Sequence, residues 1–107
     1  MPALEEPLTI EVASEGAEVV LVVSGELDPH TAPTLRGAVD GAVTDATTSL
    51  VLDVAGLLFI DSSGLRVIIS AHKAMADRGG SLTLRSPSPN TLRLLEITGL
   101  ADHVAIT

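Results

Sequence analysis

The segment that most constrains the fold is residues 57–69, where an apolar run ends at Asp61-Ser62-Ser63-Gly64 and a helical pattern begins at once. Beyond this point apolar and partly apolar residues recur at the spacing of one helix face: Leu65, Ile68, Ile69, His72 and Met75. This spacing predicts a helix that buries that face, while Arg66 and Lys73 face water. A strand should therefore pass directly into an amphipathic helix here.

Ser62 and Ser63 fall at the N-terminus of this predicted helix. Backbone N–H groups at such an end lack intrahelical partners and carry partial positive charge. A hydroxyl there is accessible to solvent, and a phosphate added to it would be well tolerated. The alternative is that these serines only cap the helix.

Strand and helix patterns alternate along the rest of the chain. Strands are predicted at residues 8–12, 18–24, 50–54 and 104–107, with a hairpin turn at 14–17, and Leu82 and Leu84 mark another strand that ends at Ser86-Pro87. Helices are predicted at residues 31–43, from 62 or 63 to about 78, and 89–99. The order β-β-α-β-α-β-α-β predicts one α/β domain over residues 1–107, with helices packed against a mixed central sheet.

Two local patterns carry further expectations. The continuous apolar run 19–23 predicts a central strand that is covered on both faces. Gly37 and Gly41 weaken the first helix, and their lack of a side chain would suit a close approach to the sheet. Asp53 follows a buried run, and we expect its carboxylate to be satisfied by backbone groups or a helix end.

Composition excludes several classes of protein. The 107 residues contain no cysteine, so neither a disulfide framework nor a Cys-based metal site is expected. No apolar run approaches the roughly 20 residues that a membrane helix needs. The first residues include Glu5 and Glu6 and lack an apolar leader, so we expect no secretory signal and a cytoplasmic protein.

The charge distribution bears on partners. The formal net charge is −8, and eleven of the fourteen acidic residues lie in residues 1–61. An acidic chain with one aromatic residue, Phe59, is unsuited to contacts with phosphate backbones or stacked bases. We therefore expect no direct nucleic-acid binding. Most of these carboxylates are expected to form a solvated acidic face that aids solubility, and the alternative is an acidic surface that helps to steer a basic protein partner.

Catalytic and metal chemistry has little support in the sequence. There is no Gly-x-Ser-x-Gly elbow and no Gly-rich phosphate loop. A Ser62 nucleophile with His30 as its base is conceivable, but nothing in the sequence brings the two together. The three histidines (His30, His72 and His103) do not have the spacing of metal ligands. We expect no enzyme, no cofactor and no metal, with His30 in a loop and His72 partly buried.

A second segment, Gly25-Glu26-Leu27-Asp28, also lies where a predicted strand gives way to a helix. Together with residues 50–54 and the segment Asp61-Ser62-Ser63-Gly64-Leu65, it resembles a STAS domain. The nearest resemblance is to the bacterial anti-sigma factor antagonists, and it covers nearly the whole chain with the segments in the same order and spacing.

The resemblance implies a STAS-like fold and a switch between partners. Members of this family bind an anti-sigma factor that is also a serine kinase, and so release a sigma factor. Phosphorylation of a serine in the Asp-Ser-Ser-Gly segment ends binding, and a phosphatase restores it. By position the phosphoacceptor is Ser62, with Ser63 as the alternative. Asp28 matches an acidic contact near the phosphoacceptor.

The resemblance also implies a partner-binding surface made of Asp28, Asp61, Ser62, Ser63, Gly64 and Arg66. Asp28 and Ser62 should lie at one edge of the sheet, because each follows the carboxyl end of a strand. We expect Asp28 to be an exposed loop carboxylate that contributes little to stability. Two departures from the family are Pro29, which stiffens the residue after Asp28, and the end of the chain at Thr107, where many members continue into another helix.

A second function stays open at this point. A STAS-like module can also sense a small molecule or nucleotide and relay a signal without control of a sigma factor. A free-standing acidic chain that carries the serine segment favours the switch between protein partners.

Overall fold

The computed structural model describes residues 7–107. The strands are β1 (Leu8–Glu15), β2 (Glu18–Leu27), β3 (Ser49–Ile60), β4 (Ser81–Arg85) and β5 (Ala105–Ile106). The helices are α1 (Ala32–Ala42), α2 (Ser62–Asp77) and α3 (Pro89–Thr98), and a short 3-10 helix (Leu100–Asp102) precedes β5. The predicted order of strands and helices is confirmed.

One mixed sheet holds the strands in the order β1-β2-β3-β4-β5. β1 runs antiparallel to β2, and the other neighbouring pairs are parallel. Glu15 pairs with Glu18, so the hairpin loop is only Gly16-Ala17, with a positive φ of 61° at Gly16. The parallel strands need crossover connections, which α1, α2 and α3 with the 3-10 helix supply.

The hydrophobic core lies between one face of the sheet and the helices. Every second residue of the central strands points into it, including Leu21, Leu52 and Leu84, each at most 1% exposed. The helices cover these residues with their own apolar side chains, which include Leu35 of α1, Ile68 and Met75 of α2, and Leu95 of α3. This shared core joins all the helices to the sheet.

Within residues 7–107, no helix covers the opposite face of the sheet. Val20 and Val22 of β2 are only half-buried, whereas Val19, Leu21 and Val23 are buried. The expectation that this strand is covered on both faces is therefore wrong. The apolar run persists because neighbouring side chains on the open face shield one another. Val51, in register with Val20 and Thr83, is 4% exposed there although it lies outside the main core.

β3 is longer than predicted, since it continues from Ser49 to Ile60 rather than ending near residue 54. Its pairing with β2 shifts register near Gly56, where a Cβ atom would collide with the Ser24 side chain. Glycine there allows the two strands to stay close. The pairing with β4 stops at Asp53 opposite Arg85, and within residues 7–107 the rest of β3 has no strand on that side.

The helix faces follow the sequence pattern closely. In α2, Leu65, Ile68 and Met75 are buried, Ile69 and His72 are half-buried, and Arg66 and Lys73 are exposed. None of the helices in the described part of the chain is long and apolar enough to cross a membrane.

The expectation for the two glycines of α1 is wrong. A Cβ atom at Gly37 or Gly41 would meet no atom of residues 7–107 within 4 Å, and both glycines are exposed. They do not permit a close approach to the sheet.

Candidate functional site

The carboxyl ends of β2 and β3 bring the two sequence motifs together. Leu27 and Ile60 are register partners in the parallel ladder, and the Asp61 amide donates to the Leu27 carbonyl oxygen at 3.2 Å. Asp28 and Asp61 therefore follow two paired residues at the same edge of the sheet. Ser62 comes next in the chain, so the structure places it at this edge with Asp28.

Gly64 lets the first turn of α2 sit directly on these strand ends. It is buried, and a Cβ atom at this position would lie 2.5 Å from Leu27 Cδ2 and 3.0 Å from Ile60 Cγ1. Distances this short leave no room for a side chain. The glycine of the Asp-Ser-Ser-Gly segment thus fixes the serines above the junction of β2 and β3.

Asp61, rather than either serine, caps α2. Its Oδ1 accepts hydrogen bonds from the backbone N–H groups of Ser63 at 2.8 Å and Gly64 at 3.4 Å. The serines occupy the first two helical positions, so the alternative in which they serve only as caps is wrong. Ser62 is exposed and Ser63 is half-buried. Among residues 7–107, neither hydroxyl forms a side-chain hydrogen bond.

Asp28 is more than an exposed loop carboxylate. It is half-buried, and its Oδ1 accepts from the backbone N–H groups of His30 at 2.9 Å and Thr31 at 3.0 Å. These bonds favour the ionised form and hold the pKa of Asp28 below its ordinary value of 3.8, the bond from Thr31 contributing most. The expectation that Asp28 is an exposed loop carboxylate is therefore wrong, because its side chain bonds to the backbone of its own loop.

Thr31 is a residue of this site that the sequence did not reveal. It is 3% exposed, and its hydroxyl donates to the Glu26 carbonyl oxygen at 2.7 Å and accepts from the Asp28 amide at 3.0 Å. Asp28 and Thr31 stand three residues apart just before α1, a spacing typical of side chains that bond to the turn at a helix start. That spacing is the signal that could have identified Thr31.

A cleft of about 270 Å³ opens beside the serines, between the first turns of α1 and α2. Ser63 lines it together with two cations, Arg36 of α1 and Arg66 of α2. Neither arginine forms an ion pair within residues 7–107. Arg66 belongs to the predicted partner surface, but Arg36 does not, because only the fold brings α1 beside α2.

The remaining chemical candidates are not joined into one site by hydrogen bonds within residues 7–107. His30 is exposed in the turn before α1, and no hydrogen bond in residues 7–107 joins it to Ser62. Asp53 Oδ1 accepts from the Ala55 amide at 3.1 Å, as expected, and its Oδ2 lies 3.8 Å from the Arg85 guanidinium. In the same range, no three His, Asp or Glu side chains are grouped so that they could hold a metal.

Comparison with known proteins agrees with this arrangement. A family model described as "Mlab, STAS domain" matches residues 10–106. An anti-sigma F factor antagonist of Paenibacillus polymyxa is 35% identical over 94 residues, which span 87% of this chain and 80% of that protein. An anti-sigma-B factor antagonist of Listeria monocytogenes is 32% identical over 100 residues, spanning 92% and 88% of the two chains.

A solved structure shows the same fold. The crystal structure of an anti-sigma factor antagonist from Mycobacterium paratuberculosis superposes with a TM-score of 0.83 at 29% identity. The match covers 92% of this chain and 84% of the other. On its sequence, its motifs and its fold, this chain belongs to the STAS-domain family of anti-sigma factor antagonists.

Proposed function

We propose that this protein, in the cytoplasm, binds an anti-sigma factor that is also a serine kinase, and thereby releases a sigma factor. The kinase transfers the γ-phosphoryl group of ATP to Ser62 Oγ, and the phosphorylated protein no longer binds. A phosphatase restores the hydroxyl. In this scheme the chain is a switched binding module and catalyses no reaction itself.

The observation that carries the proposal is the exposure of Ser62. This residue is exposed at the first position of α2, while Asp61 performs the capping that the serine would otherwise provide. A kinase can therefore reach Ser62 without removing a capping bond. Ser63 is half-buried beside the cleft, which makes it the less accessible of the two hydroxyls.

Electrostatics explains why a phosphate would end binding and leave the fold intact. A phosphoserine carries about −1.5 to −2 charge at pH 7. The N-terminus of α2 favours this charge, and Arg66 stands four residues along the same helix, within reach of an i,i+4 pair. Asp28 and Asp61 already place carboxylates at this edge. A partner would have to desolvate the phosphate beside them, which is costly.

The partner surface would combine both signs of charge. Asp28 and Asp61 each leave one carboxylate oxygen, Oδ2, without a hydrogen bond within residues 7–107. These oxygens suit basic groups of a partner, while Arg36 and Arg66 suit an acidic one. We propose that Asp28, Asp61, Ser62, Ser63, Gly64 and Arg66 form this surface and that Arg36 extends it.

The test is phosphorylation by the anti-sigma kinases encoded in the source genome. The purified protein is incubated with each kinase and ATP, and the product is mapped by mass spectrometry. We expect one kinase to add a single phosphate to Ser62. Ser62→Ala should abolish incorporation, while the matched variant Ser63→Ala should accept phosphate at the wild-type level.

Two outcomes would contradict the proposal. Phosphate on Ser63 with Ser62 unmodified would reject the assignment of the residue. The absence of both phosphorylation and binding with every such kinase would reject the function.

A further inference from the structure

Three of the exposed large apolar side chains are concentrated in one groove, which neither Ser62 nor Ser63 lines. Among residues 7–107, four large hydrophobic side chains are exposed: Val12, Leu58, Phe59 and Ile97. The last three line a single groove of about 270 Å³ between the second half of β3 and α3. Leu58 is 81% exposed and Ile97 is 71% exposed, although both are apolar. Apolar patches of this kind mark interaction sites on soluble proteins.

The same groove runs along an open strand edge. β3 pairs with β4 only as far as Asp53, so within the described residues its continuation to Ile60 has no strand on that side. The Asp61 N–H points towards β2, where it bonds to Leu27. Because bonding groups alternate along a strand, those of Ile60 point towards the groove. An extended segment laid there would gain backbone hydrogen bonds as well as apolar contact.

The positive charge of the groove favours a segment that carries an acidic residue. Arg93 of α3 is exposed, lines the groove and has no ion-pair partner within residues 7–107. Among the described residues 7–107, no aspartate or glutamate lines the groove, although the net charge of the whole chain is −8. The polar groups beside Arg93 come from Ser88, Asn90 and Thr91. A complementary segment carries a carboxylate next to an apolar side chain.

The groove is continuous with the surface assigned to the switch. Ile60 lines the groove, packs beneath Gly64 and immediately precedes Asp61. A partner that covers Ser62 would therefore lie next to the end of the groove that Ile60 forms. A second copy of this chain is a poorer occupant of the groove, because two chains that each carry a charge of −8 repel one another. In a symmetric dimer that pairs the two β3 edges, Arg93 of one chain would also face a groove that supplies another Arg93 rather than a carboxylate.

We propose that the groove between β3 and α3 binds an extended segment of the anti-sigma factor that contains an apolar residue beside an aspartate or glutamate. The segment adds a strand to the free edge of β3, its apolar side chain packs on Leu58 and Ile97, and its carboxylate pairs with Arg93. This inference rests on the proposed function and adds a second contact region for the same partner.

The test uses the kinase that phosphorylates this protein and measures its dissociation constant for unphosphorylated variants. Leu58→Ala, Ile97→Ala and Arg93→Glu should each weaken binding by roughly tenfold, the range for anchoring residues. Val12→Ala and Lys73→Glu are matched controls, because they change an exposed apolar residue and an exposed cation outside the groove. Both should bind like wild type. In hydrogen exchange, the Ile60 amide should become protected in the complex.

The failures are distinguishable. If the kinase binds the three groove variants with wild-type affinity but no longer binds Ser62→Asp, the groove is not a binding site for the kinase, and the proposed function still holds. Wild-type affinity for Ser62→Asp would instead reject the proposed switch. A loss of self-association in Leu58→Ala, seen by sedimentation without any change in kinase binding, would assign the groove to a second copy and overturn this inference.

Discussion

The backbone amide of Asp61 donates a 3.2 Å hydrogen bond to the carbonyl oxygen of Leu27. This bond extends the β2–β3 ladder one residue beyond the Leu27–Ile60 pair, to the point where both chains leave the sheet. It fixes the loop that holds Asp28 relative to the first turn of α2. The sheet therefore positions the segments that hold Asp28 and Asp61 before any partner binds. This order lowers the entropy cost of association.

Gly64→Ala should destabilise the protein by about 1–3 kcal/mol, the usual cost of overpacking. The added methyl group would collide with Leu27 and Ile60 and lift the first turn of α2. Gly37→Ala is the matched control, since its methyl group meets open space in α1, and it should stabilise by about 0.5–1 kcal/mol. Urea denaturation measures both. Equal stability of Gly64→Ala and wild type would show that the close contact with Leu27 is wrong.

Ile68→Ala should cost about 2–5 kcal/mol, because Ile68 is 1% exposed and its removal leaves a cavity between α2 and the sheet. Ile97→Ala removes the same atoms from an exposed position and should change stability by less than about 0.5 kcal/mol. The comparison is made by denaturant melts under identical conditions. Similar small losses for the two variants would mean that the buried face of α2 is misassigned.

The elements of this fold could be predicted because their sequence signals are local. The face of α2 that contains Leu65, Ile68 and Met75 follows directly from helical spacing. The strand-to-helix junction also has a local signal, the sequence Asp61-Ser62-Ser63-Gly64. The sequence does not single out Asp61 as the helix cap, because serine and aspartate are equally good caps and two serines follow it.

Features that depend on neighbouring strands could not be predicted. An apolar run such as residues 19–23 fits a strand with two covered faces, and equally one whose open face is shielded by its neighbours. The extension of β3 to Ile60 depends on pairing with β2 around a register shift at Gly56. Likewise Arg36 lines the cleft beside Ser63 only because α1 packs beside α2.

Acid should weaken the contribution of Asp28 to stability. Its hydrogen bonds, chiefly that from the Thr31 backbone, hold its pKa in the folded protein below the ordinary 3.8. The folded state thus favours the carboxylate more than the unfolded chain does. The resulting stability is fully present above the unfolded pKa and is lost as pH falls through the lowered folded pKa.

Asp28→Asn isolates this effect, because the amide oxygen can still accept the loop hydrogen bonds without the charge. The melting temperature of wild type should exceed that of Asp28→Asn at about pH 7, and the gap should narrow below about pH 4. A gap that stays constant down to about pH 2 would contradict the lowered pKa.

Asp28 and Ser62 should be energetically coupled in partner binding, because like charges at one edge repel. Asp28→Asn and Ser62→Asp should each weaken binding to the anti-sigma kinase. The double variant should lose less than the product of the separate factors, since removal of the Asp28 charge relieves the repulsion. Titration calorimetry on the four proteins of the cycle measures the coupling. If the fold-losses in affinity of the two single variants simply multiply in the double variant, Asp28 and Ser62 do not act on a shared binding surface.

The most direct test of the central claim compares the protein before phosphorylation, after phosphorylation at Ser62, and after treatment with a phosphatase. Affinity for the anti-sigma kinase and the melting temperature are measured for each form. We predict that phosphorylation weakens binding roughly a hundredfold, or about 3 kcal/mol. The melting temperature should hardly change, and the phosphatase should restore affinity. Equal affinity of the phosphorylated and unphosphorylated forms would contradict the account.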